Sequence, residues 1–180
     1  MFYAIELDES TRSAIDQARV PLLEQSRAGK WTTPANYHLT LQFLGECIPG
    51  QLPDLHDILC RTAALQQPFC LTFQKWGAFG RHQEIVWLGV RSEPALDFLY
   101  GNLNRLLRER SCPHEDRPYC PHMTLGRQVR LDDGVMKNLP EFSARMMVDH
   151  LALMESTRLN GQLVYRAVYR EPLSMTIHNK

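Results

Sequence analysis

What this 180-residue sequence lacks narrows its biology before any motif is read. It has no surplus charge, since 20 Lys and Arg balance 20 Asp and Glu. A protein that coats nucleic acid non-specifically depends on a large basic excess; that class is excluded, although a local basic cleft is not. It has no long apolar run and no heptad or Gly-X-Y period, which excludes a membrane span, a coiled coil and collagen. Its cysteines, Cys47, Cys60, Cys70, Cys112 and Cys120, are odd in number and contain no C-x-x-C pair. Neither a disulfide framework nor a zinc ribbon is therefore expected, and reduced thiols in a cytoplasmic protein are. No G-x-x-x-x-G-K-S/T loop is present, so ATP-driven ligation is not expected, and no H-E-x-x-H cluster offers a metal. The opening Met1-Phe2-Tyr3-Ala4-Ile5-Glu6 meets an acid almost at once and reads as a first strand, not a secretory leader.

What is present is an ordinary globular composition, 44% apolar, long enough to bury a sizeable core in one domain spanning residues 1–180. Phe2 to Leu7 reads as a strand. Asp8-Glu9-Ser10 starts a helix with Ala14, Ile15, Ala18, Leu22 and Leu23 at helical spacing, which Pro21 kinks or shortens. Gly29 to Pro34 reads as a loop, Tyr37 to Leu44 as a strand, and Leu55, Ile58, Leu59, Thr62 and Ala63 as a second helix. Phe69 to Ala78 and Glu84 to Val90 form a hairpin around Phe79-Gly80-Arg81-His82-Gln83. A third helix runs from Pro94 to about Arg110. Strands follow at Tyr119 to Gly126, Arg145 to Met154 and Leu163 to Tyr169, with loops at Ser111 to Pro118 and Asp132 to Pro140 and a turn at Asn160-Gly161. The order β-α-β-α-β-β-α-β-β-β lacks the rhythm of a doubly wound sheet, and an α+β fold with helices outside antiparallel sheets is expected.

One long-range echo carries the functional argument. His38-Leu39-Thr40-Leu41 and His122-Met123-Thr124-Leu125 share one pattern, both in strand-like segments. With 7 His among 180 residues, chance supplies only ~0.05 copies of His-x-Thr-Leu. In a strand, residues i and i+2 share a face. His38 with Thr40, and His122 with Thr124, thus project to one surface while Leu39, Leu41, Met123 and Leu125 anchor the strands in a core. Two imidazoles and two hydroxyls converging on one cleft suit in-line displacement at phosphorus. One neutral imidazole takes a proton from the attacking water and one charged imidazole supplies a proton to the leaving oxygen. The threonine hydroxyls donate to non-bridging oxygens. Imidazole titrates near ~6.5, so both states are reachable near neutrality and no metal or cofactor is needed. By spacing alone the two tetrads are equivalent, and which histidine is acid and which base stays open.

With these motifs the sequence resembles the two-histidine (2H) phosphoesterases, and within them the RNA 2′,3′-cyclic phosphodiesterase branch, also called 2′-5′ RNA ligase. The likeness runs nearly the whole chain. It includes Phe2-x-Ala4-Ile5, His38 to Glu46, Val86-Trp87-Leu88-Gly89, Arg117-Pro118-Tyr119-x-Pro121 with His122 to Arg127, and Glu155-Ser156 before Gly161 and Tyr165. The resemblance implies a bilobal fold with two pseudo-twofold-related antiparallel sheets, outer helices and a central cleft. It implies opening of an RNA terminal 2′,3′-cyclic phosphate to a 2′-phosphomonoester, with His38 as proton donor to the 3′ oxygen and His122 as base for water. It also implies 2′-5′ ligation, like the reverse reaction with a 5′-hydroxyl in place of water. RNA ends are the expected partners of a monomer, with no membrane and no metal. The rivals are a relative acting on ADP-ribose cyclic phosphate or on 2′-5′ oligonucleotides, and a non-catalytic module that binds RNA ends.

Other residues are candidates for completing the site. Arg127 can neutralise phosphate charge, but strand parity turns it away from His122 unless the strand bulges at Gly126. Phe43 can stack on a base and has the same parity problem. Tyr37 and Tyr119 can line the rim, with packing as the default for both. Arg81 and His82 can reach RNA from the hairpin loop. His56, His114, His150 and His178 are read as bystanders, and the Arg105 to Arg110 helix face as solvated.

Overall fold

The computed structural model describes residues 1–82, 84–115, 118–132 and 134–175; Gln83, Asp116, Arg117, Asp133 and His178, which figure in the readings above, lie outside them. Among the described residues nine strands form two antiparallel sheets. The strands are β1 (Phe2–Glu6), β2 (Ser26–Trp31), β3 (His38–Phe43), β4 (Phe69–Phe79), β5 (Ile85–Val90), β6 (His122–Leu131), β7 (Ser143–Val148), β8 (His150–Leu159) and β9 (Gln162–Pro172). The four-stranded sheet has the order β3-β1-β8-β9 and the five-stranded sheet the order β2-β6-β5-β4-β7. The α-helices α1 (Glu9–Ala18), α2 (Val20–Glu24), α3 (Leu52–Ala64) and α4 (Pro94–Glu109) complete the α+β architecture.

Local chemistry explains most boundaries. The Asp8 carboxylate caps α1 by accepting the Thr11 amide at 2.7 Å. Pro21 stands in the first turn of α2, where a proline costs no hydrogen bond, so the expected kink is a break at Arg19 followed by a fresh helix. Leu55, Ile58, Leu59, Thr62 and Ala63 form the buried stripe of α3, which packs on β8, β9 and α4. Asn160 and Gly161 both take positive φ (51° and 80°), the backbone of a two-residue turn whose twist matches the β8–β9 hairpin.

Three expectations require correction. Gly29 to Pro34 is not simply loop: β2 pairs antiparallel with β6 at Ser26, Ala28, Lys30 and Trp31. Its Ser-Arg-Ala-Gly-Lys-Trp sequence is nearly all exposed and shows no alternation, because backbone pairing holds it at the sheet edge with only Trp31 packed against the core. Arg145 to Met154 is not one strand. It divides at Asp149, with β7 joining the five-stranded sheet and β8 the four-stranded one. Tyr119 lies in the loop before β6, which starts at His122 and continues past Gly126 to Leu131.

The main core is continuous across both sheets. It holds Tyr3, Ile5, Leu39 and Leu41 from the first, Leu88, Met123 and Leu125 from the second, and Leu96, Leu99 and Leu103 from α4. A small second cluster, Phe2, Ala4, Ala152 and Met154, fills the opposite face of the four-stranded sheet. That face carries His38. Among the described residues no helix is long and apolar enough to cross a membrane.

Candidate active site

The two tetrads lie on β3 and β6, one per sheet, and these strands contact each other where the sheets meet. His38, Thr40, His122 and Thr124 line a single cleft of about 370 Å³. Leu39, Leu41, Met123 and Leu125 are buried to 2% exposure or less, as the period-2 argument requires.

Each imidazole is held in the same way. His38 Nδ1 is 2.8 Å from the carbonyl oxygen of Asn36, and His122 Nδ1 is 2.7 Å from that of Cys120. A carbonyl only accepts, so Nδ1 carries a proton in both rings and Nε2 is the atom that gains or loses one. His38 Nε2 meets the Thr40 hydroxyl at 3.0 Å. Aromatic rings brace both imidazoles. Phe2 (4.8 Å between centroids) and Tyr165 (4.9 Å, edge-on) flank His38, while Phe79 (4.9 Å, edge-on) and Trp87 (6.0 Å) flank His122. Trp87 lies over Gly77 of β4, where any Cβ would stand 2.2 Å from its ring. Burial pushes the His38 pKa below its ordinary value; the bond to Asn36 opposes this, and the charges of Arg127 and His122 add to it.

The parity objection to Phe43 and Arg127 is resolved by a pair of bulges. Between β1 and β3, Ala4 pairs with Thr40 but Tyr3 with Gln42, which leaves Leu41 as an extra residue. Between β5 and β6, Trp87 pairs with Thr124 but Val86 with Gly126, which leaves Leu125. Both bulges fall at the fourth residue of a tetrad. Each sends two consecutive residues to the buried side, Leu41 with Gln42 and Leu125 with Gly126, and returns the next one to the face of the histidine. Phe43 and Arg127 consequently line the cleft.

Tyr119 also lines it, donating its hydroxyl to the Thr40 carbonyl at 3.2 Å and stacking on Tyr100 at 3.9 Å. Tyr37 does not. It is 2% exposed, belongs to the core, and lies beneath the Arg19 guanidinium. Arg81 and His82 line a separate groove with Glu84, Arg130 and Lys137. Sequence reasoning missed Asn36, Phe79 and the bracing role of Tyr165. The available signals were weak: an Asn two residues before a histidine, and an aromatic beside the hairpin glycine.

The chain is similar to known proteins in sequence and in fold. The family model described as "2′-5′ RNA ligase superfamily" matches residues 7–160. A Bacillus subtilis protein named RNA 2′,3′-cyclic phosphodiesterase is 30% identical over 96% of both chains. An Escherichia coli protein of the same name is 31% identical over 97% of this chain and 96% of its own. Among solved structures, Escherichia coli LigT complexed with 3′-AMP is 28% identical and superposes over 97% of both chains with a TM-score of 0.82. The paired tetrads, their shared cleft and this match along most of the sequence have one meaning: the chain belongs to the 2′-5′ RNA ligase superfamily of two-histidine phosphoesterases.

Proposed function

We propose that the protein hydrolyses the 2′,3′-cyclic phosphate at RNA 3′ ends to a 2′-phosphomonoester by metal-independent two-imidazole catalysis. The observation that carries this reading is the matched tautomer of the two rings. Both Nδ1 atoms donate to a carbonyl two residues upstream, so in each ring Nε2 is the atom that gains or loses a proton, and both rings line one cleft. That pair can hold one proton and accept another, as in-line displacement demands.

His122 Nε2 takes a proton from water as the water oxygen bonds to phosphorus. The phosphorus–O3′ bond breaks on the opposite side, and His38 Nε2–H supplies the proton that O3′ needs. The 2′ oxygen keeps the phosphate, and exchange with solvent restores both rings. Thr40 and Thr124 place the non-bridging oxygens, and Arg127 balances their charge. Phe43 offers a face to a base. Burial first, and then the charges of Arg127 and His122, lower the His38 pKa; in the substrate complex the phosphate anion opposes these and favours the acidic form. With an RNA 5′-hydroxyl attacking phosphorus in place of water, the same groups form a 2′-5′ linkage and leave the 3′ oxygen as a hydroxyl.

The name of the relatives and the nucleotide-bound LigT structure support an RNA end as substrate. A short oligonucleotide ending in a 2′,3′-cyclic phosphate, incubated with excess chelator, tests the reading. The expected product carries its phosphate on the 2′ oxygen at an undiminished rate. An intact ring, a 3′-phosphate or a rate abolished by chelator overturns it.

A further inference from the structure

Between α3 and the four-stranded sheet stands a second group of chemically able side chains that takes no part in lining the cleft. His56 and Cys60 stand one turn apart on α3, and Glu171 meets them from β9. Their ligand atoms, an imidazole nitrogen, a thiol sulfur and a carboxylate oxygen, all lie within 4.8 Å of one another, and each residue is half-buried. His56 Nε2 is 2.7 Å from Glu171 Oε1, and its ring stacks flat on Tyr169 at 3.9 Å and 9°. The donors therefore sit on a helix and a strand that pack together, with the imidazole plane already fixed.

The geometry points to a zinc site of three protein ligands, His56, Cys60 and Glu171, that fastens α3 to β9. The donor set selects the ion. Magnesium and calcium want oxygen alone and copper(I) wants sulfur, whereas one thiolate, one imidazole and one carboxylate with a fourth place for water suit zinc. Tetrahedral bonds of ~2.0–2.3 Å separate ligands by roughly 3.3–3.8 Å, so the His56–Glu171 contact opens, and the wider ones close, by about 1 Å. Side-chain torsions supply that movement without disturbing either element.

The proton balance is simple. Zinc displaces the Cys60 thiol proton to solvent, and the imidazole keeps its single proton by holding it on Nδ1 while Nε2 binds the metal. No electron moves. A staple here bears on the sheet that carries His38 but supplies nothing to the reaction. The inference is accordingly independent of the proposed chemistry in the cleft.

Cobalt(II) titration of chelator-stripped protein tests it. One equivalent is expected to give thiolate-to-cobalt charge-transfer absorption and the visible bands of a tetrahedral ion, both removed by zinc. Zinc at a hundredfold excess over its Kd is expected to raise the melting temperature by about 5–10 °C and to leave turnover of a 2′,3′-cyclic phosphate unchanged. Cys60→Ser is expected to abolish the charge-transfer band, and Glu171→Gln to weaken cobalt binding by tenfold or more; the second variant decides if the first fails to fold. No charge-transfer band in the wild-type protein, or an undiminished one in Cys60→Ser, overturns the site. So does unaltered affinity in Glu171→Gln.

Discussion

Phe43 and Arg127 hold equivalent places on opposite walls of one cleft. Each stands five residues after its histidine, and each is turned inward by a bulge at the leucine that closes its tetrad. The backbone device is duplicated, but the side chains it delivers are not. One wall presents an aromatic face, suited to a base, and the other a guanidinium, suited to a phosphate.

That asymmetry separates two variants. Arg127→Ala is expected to lower kcat/KM by about 10–100-fold on every cyclic phosphate, the worth of a charge-assisted hydrogen bond. Phe43→Ala is expected to cost about 5–100-fold, the range of one base–aromatic stack, and only on substrates that carry a base. Comparing a nucleoside 2′,3′-cyclic phosphate with a ribose 2′,3′-cyclic phosphate lacking the base distinguishes them. Equal losses for Phe43→Ala on both substrates would count against stacking.

The acid–base pair has a pH signature. The profile of kcat/KM is expected to be bell-shaped, and His38→Ala or His122→Ala to lower the rate by about 10²–10⁴ with loss of one limb. His38, as the acid, must be protonated, so its deprotonation belongs to the alkaline side. Arg127 is among the charges that hold its pKa down. Arg127→Gln is therefore expected to move the alkaline limb to higher pH, which a buffer series on the variant reads directly.

Asn36 positions His38 without touching a substrate. Its carbonyl accepts from His38 Nδ1, while its buried amide donates to the Leu163 carbonyl at 2.8 Å and accepts the Tyr165 amide at 3.1 Å. One residue thereby ties the first histidine to β9, which carries the ring that braces it. Asn36→Ala is expected to cost about 1–3 kcal/mol of stability. A displaced imidazole lowers kcat by about 10–100-fold with KM little altered. Melting curves and steady-state kinetics check both halves.

Glu6 reports on the fold under acid. Its carboxylate receives Arg170 Nε at 2.6 Å and Nη2 at 2.9 Å, and faces His150 at 3.4 Å. The hydrogen bond from His150, with help from Arg170, lowers its pKa from 4.5 to about 2. The folded state thus binds this proton less readily than the unfolded chain. The stabilisation is complete above the ordinary value of 4.5 and is lost as pH falls from there towards 2. Glu6→Gln is expected to melt at a lower temperature at pH 7, with the gap to wild type closing through that acid range. The partner behaves oppositely: the His150 pKa is raised, chiefly by Glu6, so its contribution fades as pH rises through that raised value.

The sequence by itself determined what repeats along the chain. The alternation of His38-Leu39-Thr40-Leu41 and its echo at His122 settles which side chains share a face. The three-and-four spacing of α3 and α4, and Asn160-Gly161, likewise mark their own elements, because helices, strands and turns answer to neighbours a few residues away. Only the tertiary structure decided what depends on pairing between distant segments. A bulge is a mismatch between two strands, so nothing in His38 to Phe43 read alone shows that Leu41 is the surplus residue, and parity wrongly turned Phe43 and Arg127 away. Asp149 divides two strands of continuous pattern because each half finds a partner in a different sheet. β2 has no buried face to leave a pattern at all, and Tyr37 is core rather than rim because Arg19 and the surrounding chain enclose it. Glu171 meets His56 and Cys60 from the far end of the chain, where no local spacing could announce it.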